Sequence, residues 1–265
     1  MPLTHVQQRK LLKFFVPSIE ANPAWPVIVS EGDSWFSFPE HDNVVDHLDD
    51  FALRRLSLLR LEASGERALR LVGGKQKIRL AQYLRRFPVE ALLFSGGGND
   101  IVGADLLPLL NRHEAGMSWQ ECINEETTGG RLDRLHSAYL DLVHLRDENR
   151  PACRFYVHAY DLAIPSGRYV RAWGFKIGPW MRNNLEAKGI DDPADGKAIV
   201  HELLRRFDGL LRQLAADHAG VVHVETHGTL GEDEWNDELH PTADGFRKIA
   251  ERFRAELRQQ FPATF

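Results

Sequence analysis

Five short apolar runs, each separated from the next by a stretch with helical spacing, constrain this 265-residue chain more than any other feature. The runs are Trp25 to Ser30, Leu56 to Leu61, Val89 to Ser95, Phe155 to Ala159 and Val221 to Glu225. They are short for buried helices, and the first stops at Gly32, so they read as strands. Strands that alternate with helices form a parallel sheet with helices on its faces, which predicts an α/β chain built as a three-layer α/β/α sandwich. The helical stretches carry the complementary pattern. Ile199, Leu203, Leu204, Phe207, Leu210, Leu211 and Leu214 make one apolar stripe, with Arg205, Arg206 and Arg212 on the opposite face, as expected of a core-facing helix. After Thr242, a suitable N-cap, the stripe recurs through Phe246, Ile249, Phe253 and Leu257, and this last helix is expected to close the domain.

A hydrophobic share of 43% against 27% charged residues provides enough apolar surface for a sizeable core. No internal repeat or low-complexity linker marks a boundary, so residues 1–265 are expected to form a single domain. The net charge of -5 lacks the basic footprint that neutralises phosphates, which argues against a nucleic-acid partner. Cys122 and Cys153 stand far apart without further paired ligands, which suggests two buried free thiols rather than a disulfide framework or a thiolate zinc site. The first residues lack a long apolar segment with a small-residue cleavage site, and no other stretch approaches the roughly 20 apolar residues of a spanning helix. No integral membrane segment and a cytoplasmic location are the expectations. The least regular region runs from Ile164 to Asp195, punctuated by Pro165, Gly167, Gly174, Gly178, Pro179, Gly189 and Pro193. A long connection of this kind often serves as a binding loop or lid. Its Trp173, Phe175 and Trp180 either line a substrate cleft or pack the loop onto the body.

Three motifs carry chemistry. Glu31-Gly32-Asp33-Ser34-Trp35 follows the first strand and places a serine where open α/β sheets receive their ligands. A helix starting after it would aim N–H groups at an anion, but Gly-Asp-Ser is also a common turn and N-cap combination. Ser95-Gly96-Gly97-Gly98-Asn99-Asp100 follows the third strand. Three successive glycines are costly to order and imply a close backbone approach or positive φ. Asn99 can aim its amide at a developing oxyanion, or Asn99 or Asp100 can cap a helix beginning near Ile101. Near the C-terminus stands Asp237-Glu238-Leu239-His240-Pro241. A carboxylate three residues before a histidine can hold its tautomer for general-base work, and Pro241 keeps His240 on a loop, yet the same pair in isolation is often a surface ion pair.

In this order the blocks resemble those of the SGNH (GDSL-type) hydrolases. Gly32-Asp33-Ser34 is similar to the family's first block, Gly98-Asn99-Asp100 to its Gly-x-Asn-Asp block, and Asp237-x-x-His240-Pro241 to its last. The resemblance implies a flavodoxin-like five-stranded parallel sheet in the order 2-1-3-4-5 and a catalytic triad of Ser34, His240 and Asp237. It also implies an oxyanion hole formed by the N–H groups of Ser34 and Gly65 and the side chain of Asn99. Gly65, in Ala63-Ser64-Gly65-Glu66, competes for its role with Gly73 and Gly74. Trp35 stands where the family often has a small residue, which suggests an altered pocket wall, so Trp35 joins Trp173, Phe175 and Trp180 as a candidate substrate-binding residue. The Gly-x-Ser-x-Gly elbow of other α/β hydrolases is absent. The implied chemistry needs neither a metal nor an organic cofactor. The substrate expected is a carboxylic ester with a small or medium acyl group, carried by a small molecule, a carbohydrate or a lipid. An acyltransferase of the same fold and a non-catalytic SGNH-like binding module are the alternatives.

Overall fold

The computed structural model describes residues 3–65, 67–71, 73–172 and 175–265. Its strands, in chain order, are β1 (Val27–Gly32), β2 (Ser57–Arg60), β3 (Ala91–Ser95), β4 (Arg154–Val157), β5 (Val170–Ala172), β6 (Phe175–Ile177) and β7 (Val221–His223). Five of them form one all-parallel sheet in the order β2-β1-β3-β4-β7, which is the order 2-1-3-4-5 when only the sheet's own strands are counted. The two remaining strands pair antiparallel as a small hairpin inside the region that reads as irregular in the sequence.

The helices are α1 (His5–Arg9), α2 (Leu12–Ala21), α3 (Val44–Phe51), α4 (Ala68–Leu71), α5 (Gly74–Arg86), α6 (Gly98–Ile101), α7 (Glu125–Asn149), α8 (Arg182–Ala187), α9 (Pro193–Asp217) and α10 (Ala243–Gln260). All residues of β1 and β3 are buried, so both faces of the sheet are covered, as a parallel sheet requires. Helix α3 packs against α10, while α7 packs between α5 and α9. The stripe on α9 is core as its spacing predicts: Ile199, Leu203, Leu204, Phe207, Leu211 and Leu214 are fully buried, and Leu210 sits at the margin. Asp192 caps α9 by accepting the Ala194 N–H, and Pro193 fills the first position, where a missing N–H costs nothing. Thr242 caps α10 through Gly245, and Phe246, Ile249, Phe253 and Leu257 are buried beneath it.

Strand ends differ from the sequence reading by at most two residues, because ladder partners, not apolar composition, terminate them. Strand β1 begins after Pro26 and runs on through Glu31 and Gly32, which pair with Phe94 and Ser95 of β3. Both cysteines are buried and free, and burial pushes the Cys153 thiol up to about 12. Among the described residues no helix is long and apolar enough to cross a membrane.

Candidate active site

The end of β1 fixes the position of Ser34. Gly32 has φ +151° and lies so close to β3 that a Cβ would collide with the Ser95 carbonyl. That carbonyl accepts the Asp33 N–H at 3.0 Å, which turns the chain at the sheet's carboxyl edge and leaves Ser34 at a cavity. A single turn, rather than a helix, follows: Phe36 and Ser37 donate to the Asp33 carbonyl, and the next helix, α3, starts at Val44.

Ser34 Oγ lies 2.7 Å from His240 Nε2, although the two residues are 206 positions apart. His240 Nδ1 is 2.8 Å from Asp237 Oδ2 and 3.0 Å from Oδ1. A carboxylate only accepts, so Nδ1 carries the proton and Nε2 presents its lone pair to the serine hydroxyl. Asp237 is fully buried, and its Oδ1 also accepts the N–H groups of Leu239 at 2.7 Å and His240 at 2.9 Å. The loop is closed by the Asn236 N–H donating to the His240 carbonyl at 2.8 Å and by a bridge between Trp235 and Pro241. Phe38 stacks on the imidazole with ring centroids 4.5 Å apart, and Trp180 meets it edge-on at 5.6 Å.

Asn99 lines the same cavity as Ser34 and His240. It stands in α6, which spans only Gly98–Ile101, so the sequence expectation of a helix beginning near Ile101 is corrected. The N-cap is Gly97, and neither Asn99 nor Asp100 caps this turn. Gly97 has φ +113°, and a Cβ there would meet the Phe207 ring, which accounts for a glycine in this run. Asp100 instead accepts the Ala68 N–H, the first of α4, at 2.9 Å. Its carboxyl, whose ordinary value is near 3.8, is pushed up to about 6 by burial against the opposing pull of that bond and of Arg131.

Gly65 lies in the turn after β2 with φ +79° and is exposed. The loop is tied to the site at Ala63, whose N–H donates to the Gly32 carbonyl at 3.0 Å, yet Gly65 is not among the cavity's lining residues. Gly73 is the N-cap of α5 and Gly74 its first residue. Trp35 is buried, lines the cavity, and donates its indole N–H to the Leu239 carbonyl at 2.9 Å, so it braces the His240 loop from beneath. Trp180 is half-buried and packs edge-on against His240. Trp173 and Glu66 lie outside the described residues, and of Phe175 only the backbone, in β6, is described.

A second set of serine, histidine and aspartate lies behind the first. Ser95 Oγ donates to Asp33 Oδ1 at 2.9 Å, and His158 Nε2 is 3.0 Å from Ser95 Oγ. His158 Nδ1 accepts the Tyr160 N–H at 3.2 Å, so its proton is on Nε2 and is donated to the serine. The direction of this chain is opposite to that of a base acting on a serine. Burial drives the His158 value down to about 3, and both Ser95 and His158 are fully enclosed. This set is a buried hydrogen-bond chain that ends on Asp33, which also accepts from Tyr160 Oη at 2.5 Å. Burial raises Asp33 above the usual carboxylate range despite the bonds from Tyr160, Trp35 and Ser95. Phe38, Tyr160 and His158 carry no motif; the only signal for Tyr160 was its place just past the fourth strand, at the sheet's carboxyl edge.

Among the described residues, Asp208, Glu225 and His227 bring potential metal-ligating atoms within 4.8 Å of one another. Arg212 already bonds to Asp208 and Glu225, and His223 to Asp208 at 2.7 Å, so the carboxylate charge is largely taken.

No family model matches the sequence, and no curated protein is significantly similar to it. Solved structures are similar. A lipase from a goat rumen metagenome matches 87% of this chain and 96% of its own at 13% identity and a TM-score of 0.57. A carbohydrate esterase family 3 protein from Talaromyces cellulolyticus matches 91% and 100% at 12% identity and a TM-score of 0.51. An extracellular lipase from Streptomyces rimosus matches 87% and 99% at 15% identity and a TM-score of 0.51. At such identities the likeness establishes the fold.

Proposed function

On an SGNH hydrolase fold, we propose that this chain is a serine esterase that hydrolyses a carboxylic ester with a small or medium acyl group. The observation that carries the reading is the unbroken line from Ser34 Oγ through His240 Nε2 and Nδ1 to the buried Asp237, set at the open end of the sheet. In this reading His240 takes the hydroxyl proton as Ser34 attacks the ester carbonyl, then delivers it to the departing alcohol. Asp237 holds the tautomer and balances the imidazolium. The tetrahedral oxyanion is received by the Ser34 N–H and the Asn99 amide, both of residues that line the cavity, whereas Gly65, exposed in the turn after β2, stands outside it. Water then repeats the cycle on the acyl-enzyme.

The cavity at Ser34 favours the small end of the acyl range. It holds about 20 Å³ and is walled by Val102, Ala163, Leu204 and Leu239. A water needs roughly 10–15 Å³ on the same measure, so a group the size of an acetyl methyl fills it.

The test is covalent labelling with a fluorophosphonate, read by peptide mass. Modification confined to Ser34, lost in Ser34→Ala, is expected, together with faster turnover of p-nitrophenyl acetate than of the octanoate. Absence of label with no ester turnover would point to a binding module, and faster alcohol release on adding an acceptor alcohol would point to acyl transfer.

A further inference from the structure

Glu238 lies between the proposed acid and base of the triad, yet its side chain points away from both. It is fully buried, and its carboxylate is occupied by the connection between β4 and α9. Oε1 accepts the N–H groups of Gly167 and Arg182, each at 3.0 Å, and Oε2 accepts that of Met181 at 2.7 Å. Burial raises its value while these backbone donors, and that of Trp180, oppose the rise. Arg168 adds a further tie by donating to the Trp235 carbonyl at 3.0 Å. The connection is thus fastened at both ends of its hairpin to the loop that holds His240. Trp180, next to two of these donors in sequence, is the residue that reaches the imidazole, edge-on at 5.6 Å.

His240 must protonate the leaving oxygen in the proposed reaction, so the alcohol departs along the imidazole. A half-buried indole beside that ring borders the alcohol rather than the acyl group, whose cavity Trp180 does not line. We propose that Glu238 is a positioning residue that acts through Trp180, fixing the indole as the wall of the leaving-alcohol subsite and selecting alcohols that carry a flat ring. The assignment rests on the esterase reading above. One carboxylate suits this task because it accepts three N–H bonds at once without presenting a donor to any of them. The side-chain amide of glutamine has one accepting atom and would set its NH₂ against a backbone N–H.

The experiment compares benzyl acetate with ethyl acetate, whose alcohols have similar basicity, in the wild type, Glu238→Gln, Trp180→Ala and the double variant. Each single change is expected to lower the benzyl-to-ethyl ratio of kcat/KM about tenfold, mainly through the KM for benzyl acetate. The double variant should fall no further than Trp180→Ala alone, because residues acting through one contact are not additive. Trp180→Phe should restore most of the ratio. Hydrogen exchange at the amides of Gly167, Met181 and Arg182 should quicken in Glu238→Gln. Additive losses, or a ratio that does not change in Trp180→Ala, would overturn the proposal while Ser34 still takes the fluorophosphonate. A wild-type Ser34 that takes no label removes the esterase reading and this assignment with it.

Discussion

In the proposed reaction the side chains around Ser34 have separate roles, and each role predicts a different loss. Asn99 is proposed to receive charge only as the oxyanion forms, so Asn99→Ala should lower kcat by about 10²–10³ with KM little changed. The proposed role of Asp237 comes earlier, on the tautomer. Asp237→Asn leaves a neutral amide that can set the histidine proton on the wrong nitrogen, and kcat should fall on the order of 10⁴ while circular dichroism stays that of the wild type. Ser34→Ala and His240→Ala should each reach nearly the floor of their double variant in steady-state kinetics, since neither works without the other. A Ser34→Ala variant with wild-type turnover would mean that another nucleophile operates. At this scale the motif residues were legible because they follow strand ends in a fixed order. Phe38, stacked on the imidazole, was not, since its contact joins residues 202 positions apart.

The elements that carry these side chains are short, and two glycines separate their roles. Gly97 adopts φ +113° with the Phe207 ring against its Cα, whereas Gly65 adopts φ +79° with nothing within 4 Å of a built Cβ. Gly97→Ala should therefore cost about 1–3 kcal/mol or more in urea unfolding, and it should lower kcat as well, because Asn99 stands two residues further on. Gly65→Ala should cost only the roughly 1–2 kcal/mol of a left-handed non-glycine residue and should retain turnover, as alanine keeps the N–H. A large kcat loss from the second change would show that the loop itself must move. The apolar runs located all five sheet strands but not their ends, which depend on partners such as Ser95 opposite Gly32. The hairpin β5–β6 is not legible in the sequence because each strand has only three residues, too few to display a period.

In the molecule as a whole, two buried groups pull stability against pH in opposite directions. His158 takes a proton near 6.5 when unfolded but only near 3 when folded, so between those values the unfolded chain holds one more proton and stability rises with pH. Asp100 takes its proton near 6 when folded but near 3.8 when unfolded, so across that interval stability falls as pH rises. Between pH 4 and 6 the two slopes, each about 1.4 kcal/mol per pH unit, offset. Relative to wild type, Asp100→Asn should gain a positive slope of about that size in urea-unfolding free energy, and His158→Gln a negative one. Equal slopes in all three proteins would mean that neither group shifts on folding.

Local order in the chain determined the class of fold, the succession of strands and the residues that meet at Ser34, because periodicity and short motifs are properties of neighbours along the backbone. The tertiary structure alone decided which of two serine–histidine pairs faces a cavity. Ser95 ends β3 and Ser34 stands just past β1, and His158 and His240 each lie within hydrogen-bond reach of a serine. Only the direction of the hydrogen bonds, set by the Tyr160 N–H on one imidazole and the Asp237 carboxylate on the other, separates a buried brace from a base poised on a hydroxyl. The same holds for Glu238, whose partners come from residues 167, 181 and 182 and cannot be read from its place between Asp237 and His240.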